Sequence, residues 1–277
     1  MIASRWKKVW ADFWSNRGRT FLTIATIAVG TFAVGFNSNL GIYMNESMDG
    51  DYLSANPSEA EIYASGLNDD LVDKALKVPG VEAVEGYSSI DGQLIRPDGT
   101  KVNISFTAAD NPSLLTLNLL KPALGEAQIP TYGKKEVILD ASAQSLGFSN
   151  GDTIIIELDN GKRRELTFTG YMHAVTGFPY NLAQQVNAYV TSDTLEWLGG
   201  NTEQYGRLSI SVSEKQTDAD HVTAVAQAVA DELKRAGSTV YFVNVYQPGH
   251  HFAYSITQGV FFVLSILGYL TDRKSVV

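Results

Sequence analysis

Two long stretches without a charged residue set the first limits on what this chain can form. Thr20–Phe36 reads TFLTIATIAVGTFAVGF, and eight of its residues are Phe, Leu, Ile or Val. On an insertion scale those eight contribute roughly −2.5 to −5 kcal/mol toward the bilayer, before the Thr and Gly costs. As a helix the segment rises ~26 Å, a little short of the ~30 Å hydrocarbon core. Leu40, Ile42 and Met44 carry it further. Apolar residues on all sides, with Arg17 and Arg19 at one end, argue against a buried core helix. A cleavable signal peptide fits less well, because the leader is long and holds three Trp and no small-x-small site follows Phe36. Phe252–Leu270 reads FAYSITQGVFFVLSILGYL, with ten Phe, Leu, Ile or Val and no charge. Both segments are read as membrane spans.

Charge gives the orientation. Of the 277 residues, 21 are Lys or Arg and 30 are Asp or Glu, for a formal charge of −9. Five of the basic residues (Arg5, Lys7, Lys8, Arg17, Arg19) lie before the first span, against the single acid Asp12. Residues 20–271 hold 14 basic and 28 acidic side chains. A basic leader ahead of an apolar span places the N-terminus in the cytoplasm, so the acidic segment 37–251 lies outside. An acidic chain of this kind does not suit nucleic acid as a partner. The absence of Cys excludes disulfides, zinc-thiolate sites and Cys nucleophiles.

The leader has a period of its own. Ser4 can cap a helix over Arg5–Asn16, and Trp6, Val9, Trp10, Phe13 and Trp14 then form one apolar stripe, with Arg5, Lys7, Lys8 and Asp12 off it. Such a helix lies in the membrane interface on the cytoplasmic side. Two readings stay open: a plain anchor, or an elbow in which these five residues, with Arg17 and Arg19, also meet a cytoplasmic partner.

Turn residues divide the outer segment. Strands are expected at Glu61–Ser65, Glu136–Leu139, Asn187–Thr191, Arg207–Ser213 and Thr239–Val245. Val81–Ile95 and Lys101–Thr107 form the arms of one hairpin around Pro97-Asp98-Gly99, and Thr153–Leu158 and Arg163–Tyr171 those of another around Asp159-Asn160-Gly161. Helices are expected at Asp69–Lys77, Ala141–Leu146, Asp193–Leu198 (capped by Ser192) and Asp218–Ala236. The last of these has a core stripe of Val222, Val225, Ala226, Val229 and Leu233. This predicts an α+β extracytoplasmic domain with a β-rich inserted subdomain at about 110–205, flanked by two transmembrane helices.

Catalytic chemistry is not legible. There is no G-x-x-x-x-G-K-[ST] loop, no G-x-S-x-G elbow and no H-E-x-x-H pair. His250 and His251 are adjacent and point apart on a helix, which makes a poor metal site; His173 and His221 read as structural or solvated. No catalytic, cofactor-binding or metal-binding residue is assigned, and no cofactor is expected.

WKKVWADFWSNRGRTFLTIATIAVGTFAVG, GDTIIIELDNGKRRELTFTGYMH, TSDTLEWLGG and PGHHFAYSITQGVFFVLSILGYL resemble, in this order, segments of ABC transporter permeases of the MacB-like/FtsX-like group. The resemblance implies a periplasmic core domain of α+β type interrupted by a mainly β subdomain. It implies a separate ABC ATPase subunit, a second permease unit and the lipid bilayer as partners. It also implies that ATP-driven motion moves the outer domain, to export or release lipid, lipoprotein, peptide or drug. The expected organisation is a cytoplasmic amphipathic helix at 1–19, the first span and its stalk at 20–44, the core domain at 45–251 and the second span at 252–271. The terminal DRKSVV at 272–277 resembles a sequencing-adaptor read-through and is expected to be a non-native tail on a truncated product. Two other readings are a two-span sensor or receptor with an outer ligand-binding domain, and a membrane-anchored envelope enzyme. The stripe makes one firm expectation: replacing Trp10 and Trp14 by Glu in an intact homologue lowers membrane insertion or partner ATPase activity, whereas full activity would reduce the leader to a dispensable anchor.

Overall fold

The computed structural model describes Trp14 and residues 17–96, 98–247, 249–251, 254, 258–264 and 266; between 23 and 47 it describes many residues by backbone alone. The chain separates into two compact units, Met1–Asp49 with Phe252–Val277, and Gly50–His251. The first helix, α1 (Arg17–Leu53), passes from the first into the second and runs past the Met44 at which the sequence reading ended it. Among the described residues, no helix is long and apolar enough to cross a membrane.

In chain order follow β1 (Ala60–Leu67), α2 (Asp69–Leu76), β2 (Val81–Tyr87), β3 (Ser89–Ile95), β4 (Lys101–Ala108), β5 (Lys121–Pro122), β6 (Glu136–Asp140), β7 (Thr153–Leu158), β8 (Arg163–His173), α3 (Tyr180–Ala183), β9 (Gln185–Val190), α4 (Ser192–Leu198), β10 (Tyr205–Val212), α5 (Ala219–Arg235) and β11 (Thr239–Val245). Short 3-10 turns lie at Pro112–Leu114 and Ala141–Leu146. This is the α+β composition expected. The helices start where polar side chains can take up their free N–H groups. Asn68 accepts from Leu71 at the start of α2, and Asp218 accepts from Asp220 and His221 at the start of α5. α4 differs from expectation. Thr191 is its cap and accepts from Thr194, while Ser192 is already helical and donates its N–H to Asp110 at 2.7 Å.

The first sheet has the strand order β11-β1-β10-β2, with every pair antiparallel. β1-α2-β2 and β10-α5-β11 are two split β-α-β units that interleave, β10 lying between β1 and β2 and β1 between β11 and β10. One face is apolar. Ile62, Ala64, Leu67, Leu208 and Ile210 bury against Leu71 and Ala75 of α2 and Val229, Ala230 and Leu233 of α5. Val222, Val225 and Ala226, also on the expected stripe of α5, pack on Ala60 and Val212 beside them.

The second sheet draws its strands from Ser89 to Val190, between the two halves of the first. Its order is β5-β8-β6-β9-β4-β3-β7, and β7 also pairs with β8. That extra pairing closes six strands into a small barrel. β8 is long enough to serve both neighbours: its Arg163–Thr167 part pairs with β7, and Thr167–Met172 pairs with β6. Leu94, Ile104, Phe106, Ile154, Ile156, Leu166, Phe168 and Val186 fill the interior. Closure leaves no open edge within the ring. The run Val81–Ile95, expected as one hairpin arm, is therefore two strands in two sheets. The break is at Ser88, whose buried hydroxyl donates to the Gln204 carbonyl at 3.0 Å and whose own carbonyl accepts from Ala108.

Where β6 and β8 shift register, Gly170 adopts φ +147, and a Cβ there would lie 2.7 Å from Pro130 Cγ. Gly170→Ala is expected to destabilise the folded state by about 1–3 kcal/mol, through backbone strain and the clash together. A thermal or urea transition at the parental midpoint would show that the bulge relaxes freely.

Candidate functional site

Of the residues assigned to the leader elbow, Trp6, Val9, Trp10 and Phe13 lie outside the described residues. Trp14 and Arg17 are brought together. Arg17 Nε donates to the Trp14 carbonyl at 3.0 Å, and its guanidinium carbon sits 4.2 Å from the indole centroid, a cation–π geometry. Trp14 remains 61% exposed, and Arg19 is exposed as well.

The densest polar organisation is elsewhere, in a strip that sequence reasoning passed over: Thr116–Lys121. A helix leaves its last carbonyls without partners inside the helix. At the end of α1, Lys121 Nζ donates to the Asp51 carbonyl at 2.9 Å and to the Ser54 hydroxyl, which places a positive charge on the negative end of the helix dipole. The chain leaving α1 is held by Asn118 N–H to the Asn56 carbonyl (2.9 Å), Leu119 N–H to the Ala55 carbonyl (2.7 Å) and Asn56 Nδ2 to the Thr116 carbonyl (2.6 Å). Asn56 and Asn118 have φ of +45° and +52°, a region that Asn tolerates better than most residues. Tyr52, Ala55, Val175 and Leu119 form a small apolar cluster beneath these bonds.

The same strip is fastened to the first sheet. Glu85 accepts from the N–H groups of Thr116 and Leu117 at 3.3 and 3.0 Å. Asn118 Oδ1 accepts from Ser58 N–H at 3.1 Å, and Asn118 Nδ2 faces the hydroxyls of Ser58 and Ser209 at 3.2 and 3.3 Å. The strip then becomes β5, whose Lys121 and Pro122 pair with His173 and Met172 on the barrel strand β8. Six consecutive residues thus bond the end of α1, the first sheet and the barrel.

The sheet face that receives the strip is polar and aromatic. Two rows cross it in register: Phe242-Tyr63-Arg207-Tyr87, and Asn244-Glu61-Ser209-Glu85. Glu61 is 4% exposed. It accepts from Tyr63 at 2.8 Å and Tyr246 at 2.7 Å, and it pairs with Arg207 at 3.1 Å. Arg207 lies 4.7 Å from the Tyr87 ring, and Tyr63 stacks on Phe242 with centroids 4.3 Å apart. Burial is the largest single influence and opposes the charge on Arg207, but Glu61, Tyr63 and Tyr87 together outweigh it and hold the guanidinium above its ordinary value. Burial, and then the neighbouring carboxylate, raise the phenols of Tyr63 and Tyr246 beside Glu61 and of Tyr87 beside Glu85.

This arrangement joins the end of α1, the first sheet and the barrel. It presents no activated nucleophile, and among the described residues no group of His, Cys, Asp or Glu could hold a metal ion. Of the histidines, His173 ends β8, His221 lies in the first turn of α5, and His251 meets the Tyr52 ring edge-on at 5.5 Å. The sign of the phenol shifts fixes a pH dependence. The folded chain keeps protons that the unfolded chain releases above about pH 10, so this contribution is complete below that value and is lost progressively as pH rises from there through the higher folded-state values. A near-ultraviolet phenolate titration should therefore show a late-ionising class of tyrosines that appears together with unfolding. A single transition at the ordinary value, with the fold intact, would contradict the assignment.

Comparison with known proteins supplies the family. A family model described as the MacB-like periplasmic core domain matches residues 20–232. Among solved structures, the chain is similar to the periplasmic region of MacB from Actinobacillus actinomycetemcomitans at 13% identity, covering 73% of this chain and 91% of that one, with a TM-score of 0.41. It is also similar to the extracellular domain of the noncanonic ABC-type transporter YknZ from Gram-positive bacteria, at 14% identity, 67% and 100% coverage and a TM-score of 0.39. A third similar structure is a domain of a permease protein from Porphyromonas gingivalis, at 13% identity, 68% and 91% coverage and a TM-score of 0.38. No curated protein matches. The family model spans most of the sequence, and the chain belongs to the MacB-like periplasmic core domain family of ABC transporter permeases.

Proposed function

We propose that this chain is the permease subunit of an ABC transporter that moves its outer domain to export or release lipid, lipoprotein, peptide or drug. Thr20–Phe36 with its continuation to residue 44 forms the first span, and 252–271 forms the second. The N-terminus is cytoplasmic and residues 45–251 are extracytoplasmic, with the β-rich part as an inserted subdomain. A separate subunit hydrolyses ATP, as the resemblance to the permease family implies. A second permease unit completes the assembly in the bilayer. Trp6, Val9, Trp10, Phe13, Trp14, Arg17 and Arg19 form the cytoplasmic elbow that receives the motion of the ATPase.

The observation that carries this reading is the strip Thr116–Lys121. It ties the C-terminal end of a 37-residue helix to both β-parts of the outer domain. A tilt or axial shift of that helix reaches the first sheet through Asn118 and Glu85, and the barrel through β5. A packed interface held by several directional bonds switches between discrete arrangements and does not deform smoothly. That behaviour suits an all-or-none mechanical stroke.

Two measurements test the reading. A cysteine at Asn160 is expected to react with an impermeant thiol reagent in spheroplasts, and protection there would overturn the orientation. In the complete transporter, Asn118→Ala and Lys121→Met are expected to leave ATP hydrolysis near its parental rate while lowering substrate release at least tenfold. Substrate release that survives both substitutions would remove the strip from the mechanism.

A further inference from the structure

One end of the barrel carries charges that the coupling strip does not use. Trp197 of α4 packs against the barrel core. On β8 the side chains of Leu166 and Phe168 point inward, and Arg164, two residues earlier, keeps the same facing at the end of the strand. Its guanidinium carbon lies 5.0 Å from the Trp197 ring centroid, and Lys135 Nζ lies 4.9 Å from the same centroid. The two cations are thus within about 10 Å of each other. The Lys135 backbone is pinned: its N–H donates to Thr194 Oγ1 at 2.9 Å and its carbonyl accepts from Thr167 at 3.0 Å. Its side chain is exposed and able to swing.

The acids nearby are engaged elsewhere. Glu157 is paired with Lys101 and Arg163, and Asp193 with Lys134 at 3.7 Å. Glu196 accepts from Thr202, and Glu136 accepts from the Gly133 N–H at 2.6 Å. Among the described residues neither Arg164 nor Lys135 forms an ion pair, and Arg164 Nε is buried without a hydrogen-bond partner. A buried donor left unmet is costly unless an acceptor arrives. Two uncompensated cations on one indole are also unexpected in a segment where acids outnumber bases 28 to 14.

We propose that Arg164, Lys135 and Trp197 form a binding site for a phosphate group. A phosphate monoester carries about −1.5 to −2 charges near neutral pH, matching two cations, whereas a carboxylate would leave one of them unmet. The Arg guanidinium offers parallel N–H donors to two phosphate oxygens, and Lys closes on the third as a point charge. The indole gives both cations a surface that holds them in place before the anion binds. The phosphate comes either from a phospholipid that ends in a phosphate monoester, as phosphatidic acid does, or from solution.

The test uses the full chain in phosphatidylcholine bicelles, labelled with fluorotryptophan. The Trp197 fluorine resonance is assigned as the one lost in Trp197→Phe. Inorganic phosphate is titrated against chloride at equal ionic strength, and in a second arm phosphatidic acid replaces part of the phosphatidylcholine. A saturable shift of the Trp197 resonance is expected in one arm. A shift with inorganic phosphate marks a soluble ligand, and a shift with phosphatidic acid alone marks a lipid headgroup. Arg164→Gln is expected to weaken the response at least tenfold and Lys135→Gln severalfold, the second being a surface change that leaves the barrel core untouched. No saturable shift in either arm, or a shift equal to the parent in both variants, would overturn the site and leave the cluster as packing alone.

Discussion

Burying a carboxylate is costly unless its lone pairs are met, and Glu61 is met three times. Arg207, Tyr63 and Tyr246 converge on it from β10, from β1 and from the chain just past β11. Removing one member of such a group commonly costs about 3–5 kcal/mol, because the remaining charge is left buried and alone. The second face of the first sheet is therefore polar by necessity, and a polar face needs a polar cover. Glu85, Ser58 and Ser209 complete the face, and Thr116–Asn118 answers them with backbone N–H groups and one Asn side chain. The geometry at the end of α1 depends on this arrangement, since the same strip also holds Asp51, Ala55 and Asn56.

The barrel poses the opposite problem. Its interior is almost wholly apolar, and its constraint is closure. β8 meets β7 with its first half and β6 with its second, which requires a local bend. Gly170 supplies it in a conformation that L side chains rarely adopt. The first sheet and the barrel are thus stabilised by different physics: side-chain hydrogen bonding across one sheet face, and dense packing inside a ring.

Much of the regular structure could be read from local signals. The stripe of α5 is buried as its spacing dictates, and the Asp159-Asn160-Gly161 turn forms with Gly161 at φ +74. These elements carry their own periodicity and turn chemistry. The change of sheet at Ser88 was not readable, because one polar residue within an alternating run looks the same whether the strand continues or crosses. The strip Thr116–Lys121 was not readable either. It has no period, and its bonds reach residues some thirty to ninety positions away, such as Glu85, Ser58 and Ser209. Asn56 and Asn118 were its only local trace, as residues suited to left-handed backbone. The elbow rests on four residues outside those described, and of its stripe Trp14 alone is described.

The interleaving of the first sheet has a consequence for the order in which the chain matures. β1 borders β10 and β11, which are synthesised some 150 residues later, whereas every strand of the barrel is complete by Val190. A nascent chain therefore finishes its barrel while β1, α2 and β2 still lack the strand that separates β1 from β2. Until β10 arrives, Ile62 and Leu67 have only α2 to cover them. Non-local pairing of this kind is slow, and the waiting surface is open to association. The compact insert shortens that wait, because a folded barrel brings the ends of its own segment, at Ser89 and Val190, onto neighbouring parts of one small body.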